Sequence, residues 1–206
     1  MFTDRKEAGQ KLAAKLSEYK NKDAVVLALP RGGVVLGHEI AKALNAALDI
    51  IAVRKIGYPG NPEFAVCAVD EKGTLLCDPM QKAMIDKEWL KQESERQQNE
   101  AKRRSKLYRT GKAPLPLAGK IVILTDDGIA TGLTIRLAIQ SVKAQKPKKV
   151  IVAVPVAPTE VASIIKKEVD ELIVLEPPED FLGAVGAHYL DFRQVEDDEV
   201  IALMRG

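Results

Sequence analysis

Ile121-Val122-Ile123-Leu124-Thr125-Asp126-Asp127-Gly128-Ile129-Ala130-Thr131-Gly132-Leu133-Thr134 compresses a strand, an acid pair, a turn and a helix start into one stretch. Its apolar beginning has the length and β-branched content of a buried strand, and such a strand delivers the residues after it to the C-terminal edge of a sheet, where open α/β folds bind ligands. The glycine- and threonine-bearing turn then aims backbone N–H groups at one point in front of a helix N-terminus, whose dipole favours an anion. The hydroxyls of Thr131 and Thr134 add donors. The Asp pair is too acidic to touch a phosphate comfortably but suits the hydroxyls of a sugar. Phosphate cradle and carboxylate pair together read as a site for a phosphorylated sugar.

Outward from this stretch the same alternation continues in both directions. AVVLAL at 24–29 and LDIIAV at 48–53 read as strands before it, VIVAVPV at 150–156 and ELIVLE at 171–176 as strands after it, with amphipathic helical patterns between. Unbroken Val/Ile/Leu strands alternating with helices predict an α/β fold with a parallel sheet covered on both faces. An N-terminal helix is expected over 4–19, opened by Asp4 and Glu7 as a capping box. Gly57, Pro59, Gly60 and Pro62 predict a loop of at least eight residues over 54–64. A hairpin is expected at 64–77, then a helix started by Asp78-Pro79 and a long polar segment through Tyr108. The breaker-rich linker GKAPLPLAG at 111–119 closes this inserted middle.

Two further anion-binding elements fall where the first strands end. Pro30-Arg31-Gly32-Gly33 joins a charged fork for phosphate oxygens to glycines that let backbone amides come close at another helix start. Val53-Arg54-Lys55 places two more cations after the second run. Three such elements at neighbouring parallel-strand ends would converge on one cleft.

Composition sets the outer bounds. The 206 residues are 46% hydrophobic and 29% charged, which suits one domain over 1–206 with a small elaboration and excludes wholesale disorder. Thirty-one Lys and Arg against 29 Asp and Glu leave a formal +2, so net charge argues against a nucleic-acid binder. The N-terminus lacks the apolar centre of a signal peptide, and no run reaches the roughly 20 apolar residues of a membrane span. The expectation is a cytoplasmic protein without membrane partners. Cys67 and Cys77 are the 2 cysteines. A hairpin turning at Asp70-Glu71-Lys72-Gly73 would pair Cys67 with Leu76 and put Cys77 on the opposite face, so no disulfide is expected.

The stretch 121–134 resembles the phosphoribosyl-pyrophosphate signature of the type I phosphoribosyltransferases. PRGG resembles their pyrophosphate loop, and VRK resembles the segment before the mobile loop in adenine and orotate enzymes. ALPRGG, VRKIGYPGNPEFAV, LTDDGIATGLT, VAVPVAP and FLGAVGAHYLDF together resemble an uncharacterised "predicted phosphoribosyltransferase" group in that family. The resemblance implies the type I, Rossmann-like fold: a central parallel sheet flanked by helices, an inserted hairpin and long helix over about 58–118, and a C-terminal hood over about 177–206. It implies Mg²⁺-dependent transfer of the 5-phosphoribosyl group from phosphoribosyl pyrophosphate to a nitrogen nucleophile, by a homodimer. Asp126 and Asp127 would hold the ribose hydroxyls and the Mg²⁺, directly or through water. Gly128, Ile129, Ala130, Thr131, Gly132 and Thr134 would clamp the 5-phosphate. Arg31, Gly32, Gly33, Arg54 and Lys55 would receive pyrophosphate, with Arg54 and Lys55 counted as catalytic beside the two acids.

One departure narrows the acceptor. Enzymes for 6-oxopurines carry an acid where this chain has Ala130, which counts against hypoxanthine or guanine and resembles adenine-type enzymes. Phe181, Tyr189 and Phe192, in the hood, either stack on the acceptor or close the core. Glu63 reads as an exposed loop residue or an acid–base group brought in by loop closure. Lys102, Arg103, Arg104, Lys106, Arg109 and Lys112 read as a solvated helix face rather than an RNA surface, and His38 as structural. Two other readings keep the fold: a phosphoribosyl-pyrophosphate-binding regulator of a partner or nucleic acid, and a hydrolase of a nucleotide or of the donor.

Overall fold

The unbroken apolar runs form the central strands of the chain in a computed structural model, which describes residues 1–176 and 178–205 and leaves aside the side chains of Glu63 and Pro178. In chain order the elements are α1 (Arg5–Lys15), β1 (Ala24–Ala28), α2 (Gly32–Leu44), β2 (Ala47–Ile50), β3 (Val53–Tyr58), β4 (Asn61–Asp70), β5 (Leu75–Cys77), α3 (Pro79–Ala83), α4 (Lys87–Tyr108), β6 (Ile121–Thr125), α5 (Leu133–Lys143), β7 (Lys149–Val154), α6 (Thr159–Glu168), β8 (Glu171–Val174) and α7 (Asp197–Arg205). A five-stranded parallel sheet runs in the order β2-β1-β6-β7-β8, and β3-β4-β5 form a separate antiparallel sheet.

Alternate residues of each central strand feed opposite layers. Val25, Leu27, Val122, Leu124, Val150 and Val152 pack under α5 and α6. Val26, Ile123, Ile151 and Ala153 pack under α1 and α2. Burial of each such Val, Leu or Ile contributes about 1.5–3 kcal/mol, which is why the sheet can do without a polar face. Asp4 caps α1 by accepting from the Glu7 N–H at 2.8 Å, while the Glu7 carboxylate reaches back to the Thr3 N–H at 2.5 Å. The close crossing of α1 and α2 depends on Gly9, where a Cβ would lie 2.9 Å from Leu36 Cα.

The inserted segment departs from the sequence expectation in three ways. The stretch 54–64 is not a long loop: β3 and β4 run antiparallel through it, with Val53 opposite Asp70 and Tyr58 opposite Asn61. Pro59 and Gly60 occupy the two-residue turn, where Gly60 takes φ +80°, the Pro-then-Gly arrangement of a type II turn. Arg54 and Lys55 therefore do not terminate a parallel strand; they lie within β3, next to the end of β2. The long polar segment also divides, into α3 and the 22-residue α4, whose cap Asp86 accepts from the Trp89 N–H at 2.8 Å.

The third departure is the register of the second hairpin. The Asp70 carboxylate accepts from the N–H groups of Lys72 and Thr74 at 2.9 and 2.8 Å, and Gly73 takes φ +89°. This is a three-residue loop with glycine in the left-handed position, one residue tighter than expected. Cys67 consequently faces Cys77, and the two form a disulfide. The expectation of unpaired cysteines is overturned, and the support that it lent to a reducing compartment goes with it. No helix among the described residues is long and apolar enough to cross a membrane.

The antiparallel sheet lies between two helices. Val53, Ala65 and Ala68 share a core with α5, and Ile56, Val66, Cys67 and Val69 share one with Leu90 of α4. Where α2, α4 and α7 meet, Val34, Ala101, Tyr108 and Val200 form a further cluster.

Candidate active site

Chain order reverses between β1 and β6, since β1 leads outward to β2 while β6 leads to β7 and β8. At such a reversal the loops leaving two neighbouring strands diverge and open a crevice. Ala28 pairs with Thr125, and the Leu29 N–H donates to the Thr125 carbonyl at 3.0 Å, so the PRGG turn and the Asp126–Asp127 pair leave the sheet side by side. The Pro30–Arg31 peptide bond is cis. Glycine is required where the two loops touch: a Cβ on Gly32 would lie 1.9 Å from Asp127 Oδ2, and one on Gly33 would lie 2.9 Å from Asp126 Cα.

The two carboxylates have different surroundings. Asp126 Oδ1 accepts from the Asp127 N–H at 2.9 Å. Asp127 Oδ2 accepts from Arg5 Nε at 2.7 Å, and the Asp127 carbonyl accepts from the Tyr189 hydroxyl at 2.6 Å. Burial raises the pKa of Asp126 well above the ordinary carboxylate value, and the adjacent Asp127 charge pushes the same way. Burial also raises that of Asp127, but there the Arg5 guanidinium opposes it. Burial thus opposes ionisation of both acids, and Arg5 works against it at Asp127.

The loop from Gly128 to Gly132 is pinned by the buried Ile129, whose N–H donates to the Val156 carbonyl at 2.9 Å. Ala130 and Thr131 stand exposed, and Gly132 is the residue before α5, with Thr134 half-buried in its first turn. The first four N–H groups of a helix have no partner within it, so α5 presents donors to the crevice that Asp126 and Asp127 border.

The cations are less uniformly placed. Arg31 lies 3.5 Å from both Glu196 and Asp197, at the start of α7. Asp197 also accepts from the Tyr108 hydroxyl at 2.5 Å and pairs with Arg103 at 3.2 Å; burial, with Asp197 beside it, pushes the Tyr108 phenol up to about 12. Arg54 donates from Nε to Gln97 of α4 at 3.1 Å. Its pKa is lowered by burial first, then by the like charges of Arg104 and Arg31. Arg31 and Arg104 thus lie near enough to act on Arg54, and Glu100, bonded to Arg104 at 2.7 Å, opposes them. Lys55 is half-buried, paired across the ladder with Ala68, and alternation along β3 turns it to the face opposite Arg54. The structure does not bring Arg54 and Lys55 to one face.

The hood aromatics divide as well. Tyr189 is buried, its ring tilted against those of Phe2 and Phe192 at centroid distances of 5.5 and 5.0 Å, and closes the core beneath Asp127. Phe181 stacks on His188 at 5.4 Å. Phe192 is 36% exposed, with the Arg5 guanidinium 3.8 Å from its centroid and the Tyr189 ring against it. His188 is buried, bonded through Nδ1 to Glu176 and through Nε2 to the Leu182 N–H. His38 Nδ1 contacts the Leu203 carbonyl at 3.0 Å. The Glu63 side chain lies outside the described residues.

Arg5 and Gln97 escaped the reading of the sequence, and Arg104, read there as part of a solvated face, instead pairs with Glu100 at 2.7 Å beside Arg54. Arg5 meets its partner 122 positions away, so no local spacing marks it. The basic run from Lys102 to Lys112 is no solvated face throughout: Arg109 is buried, bonded to Asp49 at 2.8 Å and to the Ile50 carbonyl at 2.7 Å.

Comparison with known proteins bears on this arrangement. The family profile "Phosphoribosyl transferase domain" matches residues 2–191. Rv0571c of Mycobacterium tuberculosis strain H37Rv, provisionally named a phosphoribosyl transferase, is 39% identical over 206 residues, 99% of this chain and 46% of that protein. The chain spans about half the length of the curated relatives it matches. The crystal structure of TT1426 from Thermus thermophilus is 42% identical and superposes with a TM-score of 0.80, covering 98% of this chain and 97% of that one. AQ2163 from Aquifex aeolicus, 17% identical over 83% of this chain and 72% of that one, superposes with a TM-score of 0.53 and shares the fold.

Proposed function

The chain belongs to the phosphoribosyl transferase domain family, and on that premise we propose that it transfers the 5-phosphoribosyl group from phosphoribosyl pyrophosphate to a nitrogen nucleophile. The observation that carries this reading is the meeting of the Asp126–Asp127 pair, the PRGG turn and the start of α5 at the sheet's reversal point. In the transfer the bond from the anomeric carbon to pyrophosphate breaks, a bond to nitrogen forms, and the nitrogen gives up its proton. Charge builds on the departing pyrophosphate and on the sugar ring, so catalysis rests on positioning and electrostatics.

Asp126 and Asp127 hold the ribose hydroxyls, and the amides of 128–134 with the Thr131 and Thr134 hydroxyls hold the 5-phosphate. Arg31, with the amides of Gly32 and Gly33, receives the pyrophosphate; Arg54 adds positive potential from β3, and Lys55 contributes from the other face of that strand. Among the described residues no group of three or more His, Cys, Asp or Glu side chains converges to hold a metal. A pair of carboxylates at an open crevice fits Mg²⁺, which keeps water and substrate oxygens as most of its ligands. Asp126 and Asp127 would hold it directly or through water, and it would supply charge neutralisation at the pyrophosphate.

Ala130 stands exposed where a 6-oxopurine enzyme would carry an acid, which favours an adenine-type base or a small amine as acceptor. The setting proposed is a cytoplasmic homodimer, checked by sedimentation and by fractionation of the source cells.

Calorimetric titration with phosphoribosyl pyrophosphate, with and without Mg²⁺, tests the donor site, and pyrophosphate release in the presence of adenine-type bases and amines tests turnover. Mg²⁺-dependent binding followed by release supports a transferase. Binding without release from any acceptor points to the regulator, ribose 5-phosphate formed without an acceptor points to the hydrolase, and absence of binding overturns the donor site.

A further inference from the structure

Away from the crevice, two adjoining cavities of about 300 and 450 Å³ lie where the end of β2, the turn after β4, the last turns of α4 and the linker 111–117 meet. They share Glu71, Lys72, Arg109 and Pro114 as walls, and no residue assigned above to the donor lines either one. The outer cavity is bordered by five cations, Lys72, Lys102, Lys106, Arg109 and Lys112, against one carboxylate, Glu71. Asp49 matches the charge of Arg109 from behind, accepting from its Nε at 2.8 Å, whereas Glu71 stands 3.7 Å from Nη1. The ammonium groups of Lys72, Lys106 and Lys112 have no ion-pair partner among the described residues.

The walls are fixed in advance of any ligand. Arg109 is buried and held also by the Ser105 hydroxyl and by the Ile50 carbonyl at 2.7 Å. The second oxygen of Asp49 accepts from the Leu115 N–H at 2.9 Å, and Pro114 and Pro116 restrict the linker on either side of that residue. Leu27, Ile51, Leu115 and Leu117 give the inner cavity an apolar lining, with Ile51 and Leu115 only half-buried. Its polar edges are Ser141, which donates to Asp70 at 2.9 Å and keeps lone pairs with which to accept, and the exposed Gln145 amide.

We propose that this junction is a second binding site, for a nucleoside diphosphate, with the phosphates on Lys72, Lys106, Lys112 and the Nη1 edge of Arg109 and the base in the inner cavity. A diphosphate supplies the negative charge that three unpaired ammoniums and a buried guanidinium favour, and it outcompetes the loosely held Glu71 carboxylate. A flat heterocycle suits the inner cavity, whose volume is at the lower end for small-molecule pockets. Its ring nitrogens and exocyclic groups match Ser141 and Gln145. A structural clasp between Asp49 and Arg109 would need neither the cavities nor the lysines. An RNA strand fits less well, because it requires an open groove with aromatic faces on which bases stack, and Tyr108, the aromatic residue within the basic run, is buried.

The test titrates the parent protein and the double variant Lys106→Glu with Lys112→Glu with ADP, GDP, CDP and UDP, by calorimetry and by ¹H–¹⁵N amide shifts. Both lysines are exposed, so their replacement leaves the core untouched; Lys72→Glu is the second variant should the first not fold. At least one nucleotide is expected to shift the parent's Lys72, Lys112 and Leu115 amides and to bind the double variant about tenfold or more weakly. Phosphoribosyl pyrophosphate affinity should meanwhile stay within about twofold in moderate salt, which screens the distant charges. Nucleotides that bind parent and variant equally, or that shift only amides around Asp126 and Asp127, occupy the crevice and overturn the proposal. It is overturned also if none of the four shifts the junction amides, or if inorganic pyrophosphate binds there as tightly, since the base then contributes nothing. Should the parent bind no phosphoribosyl pyrophosphate, the donor reading fails and the junction amides alone decide the second site.

Discussion

Gly32 and Asp127 are so close that a single methyl group on the glycine would fall 1.9 Å from the carboxylate Oδ2 and 2.8 Å from Arg5 Nε. The turn proposed to receive pyrophosphate and the acid proposed to receive the sugar are thus shaped against each other. Gly32→Ala must displace the Asp127 side chain or the turn itself. We expect a loss of about 1–3 kcal/mol in a urea titration, the usual cost of overpacking, together with loss of phosphoribosyl pyrophosphate binding by calorimetry.

Asp126 predicts a trade between stability and binding. Burial, then the charge of Asp127, holds its folded-state pKa well above the ordinary value. A carboxyl raised on folding takes up protons relative to the unfolded chain, so its contribution to stability declines as pH rises from about 4 through the folded value. Asp126→Asn removes that decline. The variant should melt higher than the parent at pH 8, with the gap closing toward pH 4, and it should bind no donor. Equal melting temperatures at both pH values would contradict the electrostatic account.

The acids that open α7 stand where an anionic ligand of Arg31 would compete. Glu196→Gln combined with Asp197→Asn frees that guanidinium from two carboxylates at 3.5 Å. Ion pairs of this exposure contribute up to about 1 kcal/mol, so inorganic pyrophosphate should bind about threefold to fivefold tighter at low salt, with the advantage shrinking at high salt. Weaker binding in the double variant would show that the acids support the loop rather than compete with its ligand.

The Cys67–Cys77 bridge joins neighbouring strands inside the core shared by Ile56, Val66, Ile85 and Leu90. Closing a loop this short constrains the unfolded chain by about 2–3 kcal/mol. Reduction should therefore lower the melting temperature. Alkylation under denaturing conditions should label neither cysteine before reduction and both after it; two free thiols in the untreated protein would remove the bridge.

The central sheet and the crevice were legible because their signals are local. A run such as Ile121-Val122-Ile123-Leu124 has one stable place, inside a covered sheet, and the acids and glycines after it have only the strand's end to occupy. The insert was misread where local signals compete. Gly57, Pro59, Gly60 and Pro62 all break regular structure, but Pro59-Gly60 suits a tight turn, and Gly57 sits at an irregularity where a Cβ would come within 2.3 Å of the Pro62 carbonyl oxygen. At Asp70 the carboxylate shortened the loop, and that one-residue slip turned two unrelated cysteines into a pair. Arg5 was invisible for another reason: its value comes from a contact between the first helix and a strand end far along the chain.

Helix α5 has two clients. Its first turn faces the crevice, while Ile135, Leu137 and Ile139 share a core with Val53, Ala65 and Ala68 of the inserted sheet, and Ser141 Oγ donates to Asp70 at 2.9 Å. For anyone grafting a different insert onto this scaffold to change its acceptor, the seam does not run through the connecting loops. It runs along the flank of α5, and a chimaera has to carry that flank over with the donor segment or re-match it residue by residue.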